Sequence, residues 1–146
     1  MLTLAIIKPD AVAARHTGKI IAHLEAEGFH IREAQMVRLT QERAESFYEV
    51  HRERPFFRPL VSFMTSGPAL ALVLERDAAV GHLRKVIGAT DPAQAEAGTI
   101  RRLYAQSKER NAIHASDSAE NAAREVAFFF PARGSADAVD ASATRV

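Results

Sequence analysis

The sequence predicts a small α/β sandwich, with few strands in one sheet and helices packed over it. Two observations carry this. Apolar residues switch repeatedly between a strand period and a helical period along the chain. The strand-like runs are also few and separated by helical stretches, which favours a compact sandwich over a long parallel sheet. Size agrees: 146 residues, 47% of them apolar, suffice for one domain whose core needs no cross-links.

Leu2 to Ile7 is a compact β-prone run closed by Lys8-Pro9-Asp10, a turn signal. Ile20, Ile21 and Leu24 share one helical face, and Gly28 suits its C-cap. Phe29 to Leu39 reads as a second strand. Thr40 is placed to cap a helix carrying Ala44, Phe47 and Tyr48 on one side. Phe56, Phe57, Leu60, Val61 and Met64 suit another short helix, stopped by Ser66-Gly67-Pro68. Ala69 to Leu74 is the most apolar strand and belongs at the centre of the sheet. Asp77 then caps a helix bearing Val80, Leu83 and Ile87, ended by Gly88. From Gly88 to Gly98 the chain reads as a long loop, and loops of that length are often functional. A short strand near Ile113 precedes a helix from about Ser118 to Phe130, with Asp117 and Glu120 at capping-box spacing.

The stretch Ala132 to Val146 holds no aromatic residue, Leu, Ile or Met, and is too polar to offset its ordering entropy. The domain is therefore expected over 1–131 and a flexible tail over 132–146. No internal repeat is evident.

Composition excludes several functions. With no cysteine there are no disulfides, thiolate metal sites or cysteine nucleophiles. No apolar run approaches the roughly 20 residues of a membrane-spanning helix, and no basic segment precedes the apolar N-terminal run as in a signal peptide. A cytoplasmic protein without a membrane partner is expected. Nineteen basic residues nearly cancel eighteen acidic ones, for a net charge of +1, which argues against a general nucleic-acid binder. Yet 15 of the 19 are Arg. Base composition of the genome would explain that, and so would a need for planar forks that hold phosphate. Composition alone does not choose between them.

Several motifs fail on inspection. Thr17-Gly18-Lys19-Ile20 lacks the first glycine of a phosphate loop and the hydroxyl residue after its lysine. His16, His23 and His30 lie seven apart, which is no metal-ligand spacing. One polar cluster remains, Asn111 to Ser118, at a strand-to-helix junction. His114 at its centre has Glu125 on the following helix. A carboxylate on one ring nitrogen fixes the tautomer and leaves the other nitrogen free to attack. Ser116 is placed to orient that carboxylate, although Ser116, Asp117 and Ser118 also read as helix caps.

At this point the sequence resembles a known family. Asn111-x-x-His114-Ala115-Ser116-Asp117 matches the nucleoside diphosphate kinase signature. Lys8-Pro9-Asp10-Ala11, Arg54-Pro55-Phe56-Phe57, Ser66-Gly67-Pro68 and Gly98-Thr99-Ile100-Arg101 match in the family's order and approximate spacing, so the resemblance covers 2–131. It implies a ferredoxin-like α+β sandwich whose four-stranded antiparallel sheet is covered by helices. It also implies ping-pong transfer of an NTP's γ-phosphoryl group to an NDP, through a phosphohistidine on the pros nitrogen of His114.

By the same resemblance, Glu125 orients His114 with Ser116 behind it, Lys8 touches the transferring phosphate, and Tyr48 lies beside both. Arg84, Thr90 and Arg101 match positions that hold phosphates, and Asn111 one that bonds the sugar hydroxyls. Phe56 matches the aromatic under the base, and Leu60 its neighbour. Lys108 stands where the family usually has an aliphatic wall. Its stem is expected to cover the base while its ammonium reaches water. Arg102 and Leu103 replace a common Gly-Asp. Mg²⁺ is implied as cofactor, held by nucleotide phosphates and water rather than by a protein cage. The family builds homo-oligomers from dimers. Ala97, where many hexameric members have Pro, and a tail without the large apolar and aromatic residues that could lock subunits together favour a tetramer. A catalytically weak member serving as a nucleotide-binding scaffold and a nucleic-acid-binding module of similar fold are the competing readings.

Overall fold

The structure, a computed structural model, describes residues 1–134. The tail expected over 132–146 lies outside the described residues from 135 onward. Before that point a 3-10 turn, Pro131–Gly134, carries the ordered chain past the expected boundary at 131.

Four strands form one sheet: β1 (Leu2–Ile7), β2 (His30–Val37), β3 (Ala69–Glu75) and β4 (Ile113–Ala115). Their order is β2-β3-β1-β4 and every neighbouring pair is antiparallel, a ferredoxin-like α+β arrangement. Ala69 to Leu74 indeed lies inside the sheet, between β2 and β1.

Helices cover both faces, and the strand period of two divides the side chains between them. Ala5 and Ile7 of β1 join Leu70, Leu72 and Leu74 of β3 on one face. There they meet α2 (Thr17–Ala26) through Ile20 and Leu24, and α5 (Ala79–Ile87) through Leu83 and Ile87. Leu4 and Ile6 point the other way with Ala71 and Val73. They pack on α3 (Gln41–Phe47), α4 (Phe57–Met64) and α7 (Ala119–Phe129) through Phe47, Val61, Met64, Val126 and Phe129. Burying such side chains contributes about 1.5–3 kcal/mol each, which makes these two layers the main source of stability.

Local signals explain most boundaries. The Thr40 hydroxyl accepts from the Arg43 amide and starts α3. The expected turn at Lys8-Pro9-Asp10 instead opens α1 (Pro9–Ala13), with Pro in the first turn where its missing N–H costs nothing. Two caps fall elsewhere than expected. Asp77 does not cap α5: the chain enters through Ala78 in the left-handed region, at φ 50°, with no side-chain cap. Ser118, not an Asp117–Glu120 box, caps α7, because its hydroxyl accepts from the Asn121 amide while Asp117 bonds the Asn121 side chain. Directly after the Gly88–Gly98 loop comes a helix the hydrophobic pattern does not reveal, α6 (Ile100–Tyr104), capped by Thr99.

Gly88 ends α5 at φ 87° and ψ −177°, a conformation essentially restricted to glycine. A Cβ there would stand 2.5 Å from the Thr99 hydroxyl. Gly88→Ala is therefore expected to lower stability by about 1–3 kcal/mol or more, read as a fall in melting temperature. An unchanged melting temperature would show that the α5–α6 connection tolerates the side chain.

Candidate active site

The antiparallel pairing of β1 with β4 sets Ile6 opposite His114 and Ile7 opposite Ile113. Lys8, which follows β1, thereby comes beside Asn111, which precedes β4. Its ammonium donates to Asn111 Oδ1 at 2.8 Å, and the Asn111 amide nitrogen donates to the Thr90 carbonyl at 3.3 Å. Residues 103 apart in sequence are joined in one step, and the long loop carrying Thr90 is tied to them.

His114 stands half-buried at the rim of a cleft of about 180 Å³. Its Nε2 lies 2.8 Å from Glu125 Oε1 on α7, and the Ser116 hydroxyl donates to the same oxygen at 2.7 Å. Nδ1 makes no hydrogen bond among the described residues and is the nitrogen left for chemistry. Phe47 and Tyr48 set their rings edge-on to the imidazole, with centroids at 5.4 and 6.2 Å. The ring is thus held by one polar bond and two apolar neighbours.

Charges around this nitrogen are arranged for an anion. Arg84, Thr90 and Arg101 line the cleft with His114. Arg101 is buried and donates to two backbone carbonyls, Gly88 at 3.1 Å and Ile113 at 2.7 Å. Burial, then the charge of Arg84, pulls its pKa down to about 10. Lys8 is buried too, and burial followed by the Arg101 charge lowers its pKa to about 8, while Asp10 opposes the shift. Glu125 behaves oppositely. Burial acts to raise its carboxyl, but hydrogen bonds and charge from His114, with Ser116 and Arg124, hold it below the usual value. Burial pushes the Tyr48 phenol up, aided by the Glu125 charge, so it remains protonated, with a buried hydroxyl lacking a partner among the described residues.

The expected base-binding residues sit apart from this centre. Phe56 is the exposed residue at the start of α4, its ring 5.2 Å from that of His51, and Leu60 lies one turn further on. His51 itself lines the cleft. Lys108 is exposed in the loop before β4, and no described contact joins it to Phe56. Sequence reasoning also passed over Val50, Asn121 and Arg124, which line the cleft. The available signal was spacing: Asn121, Arg124 and Glu125 fall at i, i+3 and i+4 on α7 and so share a face.

An imidazole with one nitrogen anchored to a carboxylate and the other unbonded, in a cleft it lines together with buried and exposed cations, suits covalent transfer of an anionic group to histidine. That is the chemistry of a phosphotransferase. Comparison with known proteins agrees and is more specific. The defining pattern of the nucleoside diphosphate kinase family matches residues 2–134. The nucleoside diphosphate kinase of Chlorobium limicola is 55% identical over 130 residues, covering 89% of this chain and 93% of its own. That of Acidiphilium cryptum is 56% identical over 128 residues, covering 88% and 91%. A crystal structure of the Aquifex aeolicus nucleoside diphosphate kinase superposes with a TM-score of 0.87 at 48% identity, covering 88% of this chain and 94% of that one. The chain belongs to the nucleoside diphosphate kinase family and is an enzyme, a phosphoryl-transferring kinase.

The lowered Lys8 has a measurable consequence. A lysine must be charged to hold a phosphate, so ADP affinity is expected to fall as pH rises through about 8. The loss should reach roughly tenfold, the worth of a charge-assisted hydrogen bond. Calorimetric titration from pH 6.5 to about 9.5 reads this out. Lys8→Met should bind weakly and lack the step; a native profile without the step would remove Lys8 from phosphate binding.

Proposed function

We propose that this chain transfers the γ-phosphoryl group of an NTP to an NDP in two half-reactions through a phosphohistidine on Nδ1 of His114. The observation that carries this reading is that His114 lines a cleft with Arg84, Arg101 and Arg124, its Nε2 held by Glu125 and its Nδ1 free of hydrogen bonds among the described residues. In the first half-reaction the Nδ1 lone pair attacks the γ-phosphorus and the bond to the β–γ bridging oxygen breaks, so an NDP leaves. In the second, a terminal oxygen of an incoming NDP attacks the same phosphorus and the P–N bond breaks. Glu125 stabilises the ring as positive charge develops on it, and Ser116 keeps the carboxylate aimed. Lys8, Arg84 and Arg101 neutralise the phosphates, Thr90 bonds them, and Tyr48 closes the side of the histidine. Phosphoryl transfer asks a protein mainly for such positioning and charge neutralisation.

In this reading Asn111 bonds the sugar hydroxyls and the base stacks on Phe56 beside Leu60, with the Lys108 stem along its other side. Stacking without edge contacts tolerates every base. Among the described residues no cluster of three acidic or imidazole side chains is suited to hold a metal ion. Mg²⁺ carried in on the nucleotide phosphates would supply Lewis-acid withdrawal of charge from the phosphoryl oxygens. No described helix is long and apolar enough to cross a membrane, and a cytoplasmic role is proposed. We likewise propose that residues 1–131 form the catalytic unit, with 132–146 an appended tail.

Incubation with Mg²⁺ and γ-labelled ATP is expected to give an acid-labile, base-stable phosphoprotein that any NDP discharges. Equal labelling of His114→Ala, or no label on the native protein, would contradict the proposal. For the assembly, a tetramer built from dimers is proposed from Ala97 and a tail that lacks aromatic residues, Leu, Ile and Met. Sedimentation velocity is expected to give a four-subunit mass; a monomer or hexamer would overturn that.

A further inference from the structure

Among the described residues, three that are not glycine have positive φ: Arg15, Ala78 and Ala112. Arg15 and Ala78 are exposed, whereas Ala112 is fully buried, at φ 75°, between Asn111 and the strand that carries His114. The Ile113 amide donates to the Asn111 carbonyl at 2.9 Å and closes a three-residue γ-turn around Ala112. Turns of this hand are rare and strained, and such strain persists only where the surroundings over-determine it.

Both polar groups of Ala112 are bonded to the segment that opens α1. Its carbonyl accepts from the Lys8 amide at 2.9 Å, and its own amide donates to Asp10 Oδ2 at 3.0 Å. Asp10 is a buried carboxylate, 7% exposed, whose other oxygen has no partner among the described residues. A buried acid carrying a single hydrogen bond, made to one peptide, is costly to keep for packing alone.

We propose that Asp10 is a positioning residue for phosphoryl transfer, its carboxylate holding Ala112 in the strained turn that fixes where Asn111 and His114 stand. The inference rests on the reading of His114 as phosphate acceptor. Without the acceptor oxygen, the Ala112 amide is buried and unpaired, and the turn gains by relaxing to negative φ. That rotation moves the residues on either side of it: Asn111 with its bond to Lys8, and the strand leading to His114. Asp10 also opposes the lowering of the Lys8 pKa, so loss of its charge has a separate effect on Lys8.

Variants separate these contributions. The observed quantity is the single-turnover rate of His114 phosphorylation at saturating ATP, on protein shown to be folded by its melting curve. Asp10→Ala is expected to slow this step by about tenfold or more. Asp10→Asn, which keeps an acceptor oxygen of the same reach, is expected to lose less. Ala112→Gly in the Asp10→Ala background is expected to recover much of the loss, because glycine adopts positive φ without strain. If Asp10→Ala does not fold, the double variant decides alone: folded and active supports the proposal, unfolded overturns it. An unchanged rate in Asp10→Ala, an equal loss in Asp10→Asn, or no recovery with glycine would each overturn it. Failure of the native protein to form phosphohistidine would instead remove the His114 reading on which the inference stands.

Discussion

One buried oxygen, Glu125 Oε1, receives both the imidazole of His114 and the hydroxyl of Ser116, and through it α7 is locked to β4. Taking a carboxylate out of water costs several kcal/mol unless hydrogen bonds and charge compensate. Here they do: burial acts to raise the carboxyl, but hydrogen bonds and charge from His114, Ser116 and Arg124 together hold it below its usual value. The direction matters for chemistry. In the proposed reaction, a Glu125 ionised through the neutral range would keep a proton on Nε2 and direct the lone pair to Nδ1, so the anchor that fixes the ring would also choose which nitrogen reacts. The apolar sheet face beneath, with Phe129 and Val126 of the same helix, keeps α7 from yielding.

Much of the sheet and its covering was legible because it depends on local pattern. β1 and β3 read as apolar runs, and Thr40 and Gly88 marked a helix start and a helix end by their own chemistry. The miss at Asp117 had a specific reason. Asp117 and Ser118 are both good cap residues in succession, and only the path of the backbone selects Ser118. The left-handed Ala78 left no trace at all, since alanine has no preference for that region. Helix α6 is five residues long, too short for a periodic pattern to declare itself.

The site was legible in a different way. Its residues came from spaced motifs, not from periodicity, and motifs name side chains without saying how deep each one lies. Lys8 and Arg101 are the clearest instances. Nothing local indicates that they are buried, because their burial follows from the β1–β4 register and from α6 folding back under the loop after Gly88. Asp10 stood in plain view within Lys8-Pro9-Asp10-Ala11, yet its work on Ala112 spans 102 positions and appears only once the register is known.

The manner in which these cations are held bears on catalysis. Among the described residues neither Lys8, Arg84 nor Arg101 is paired with a carboxylate within salt-bridge distance. Lys8 donates to an amide oxygen and Arg101 to two backbone carbonyls, the Arg101 Nε having no partner among the described residues. Neutral acceptors fix their geometry without cancelling the charge, and burial followed by repulsion from a neighbouring arginine, Arg101 for Lys8 and Arg84 for Arg101, lowers the pKa of each. Ion pairs would have held the same side chains more comfortably, but an incoming phosphate would then have to displace a carboxylate. As built, the cleft keeps its positive field before any ligand arrives, and an anion relieves the repulsion. The relief is greatest where negative charge is densest. In the proposed reaction a transferring phosphoryl group would gain from this field without reorganising it, which is how fixed dipoles and charges lower a barrier.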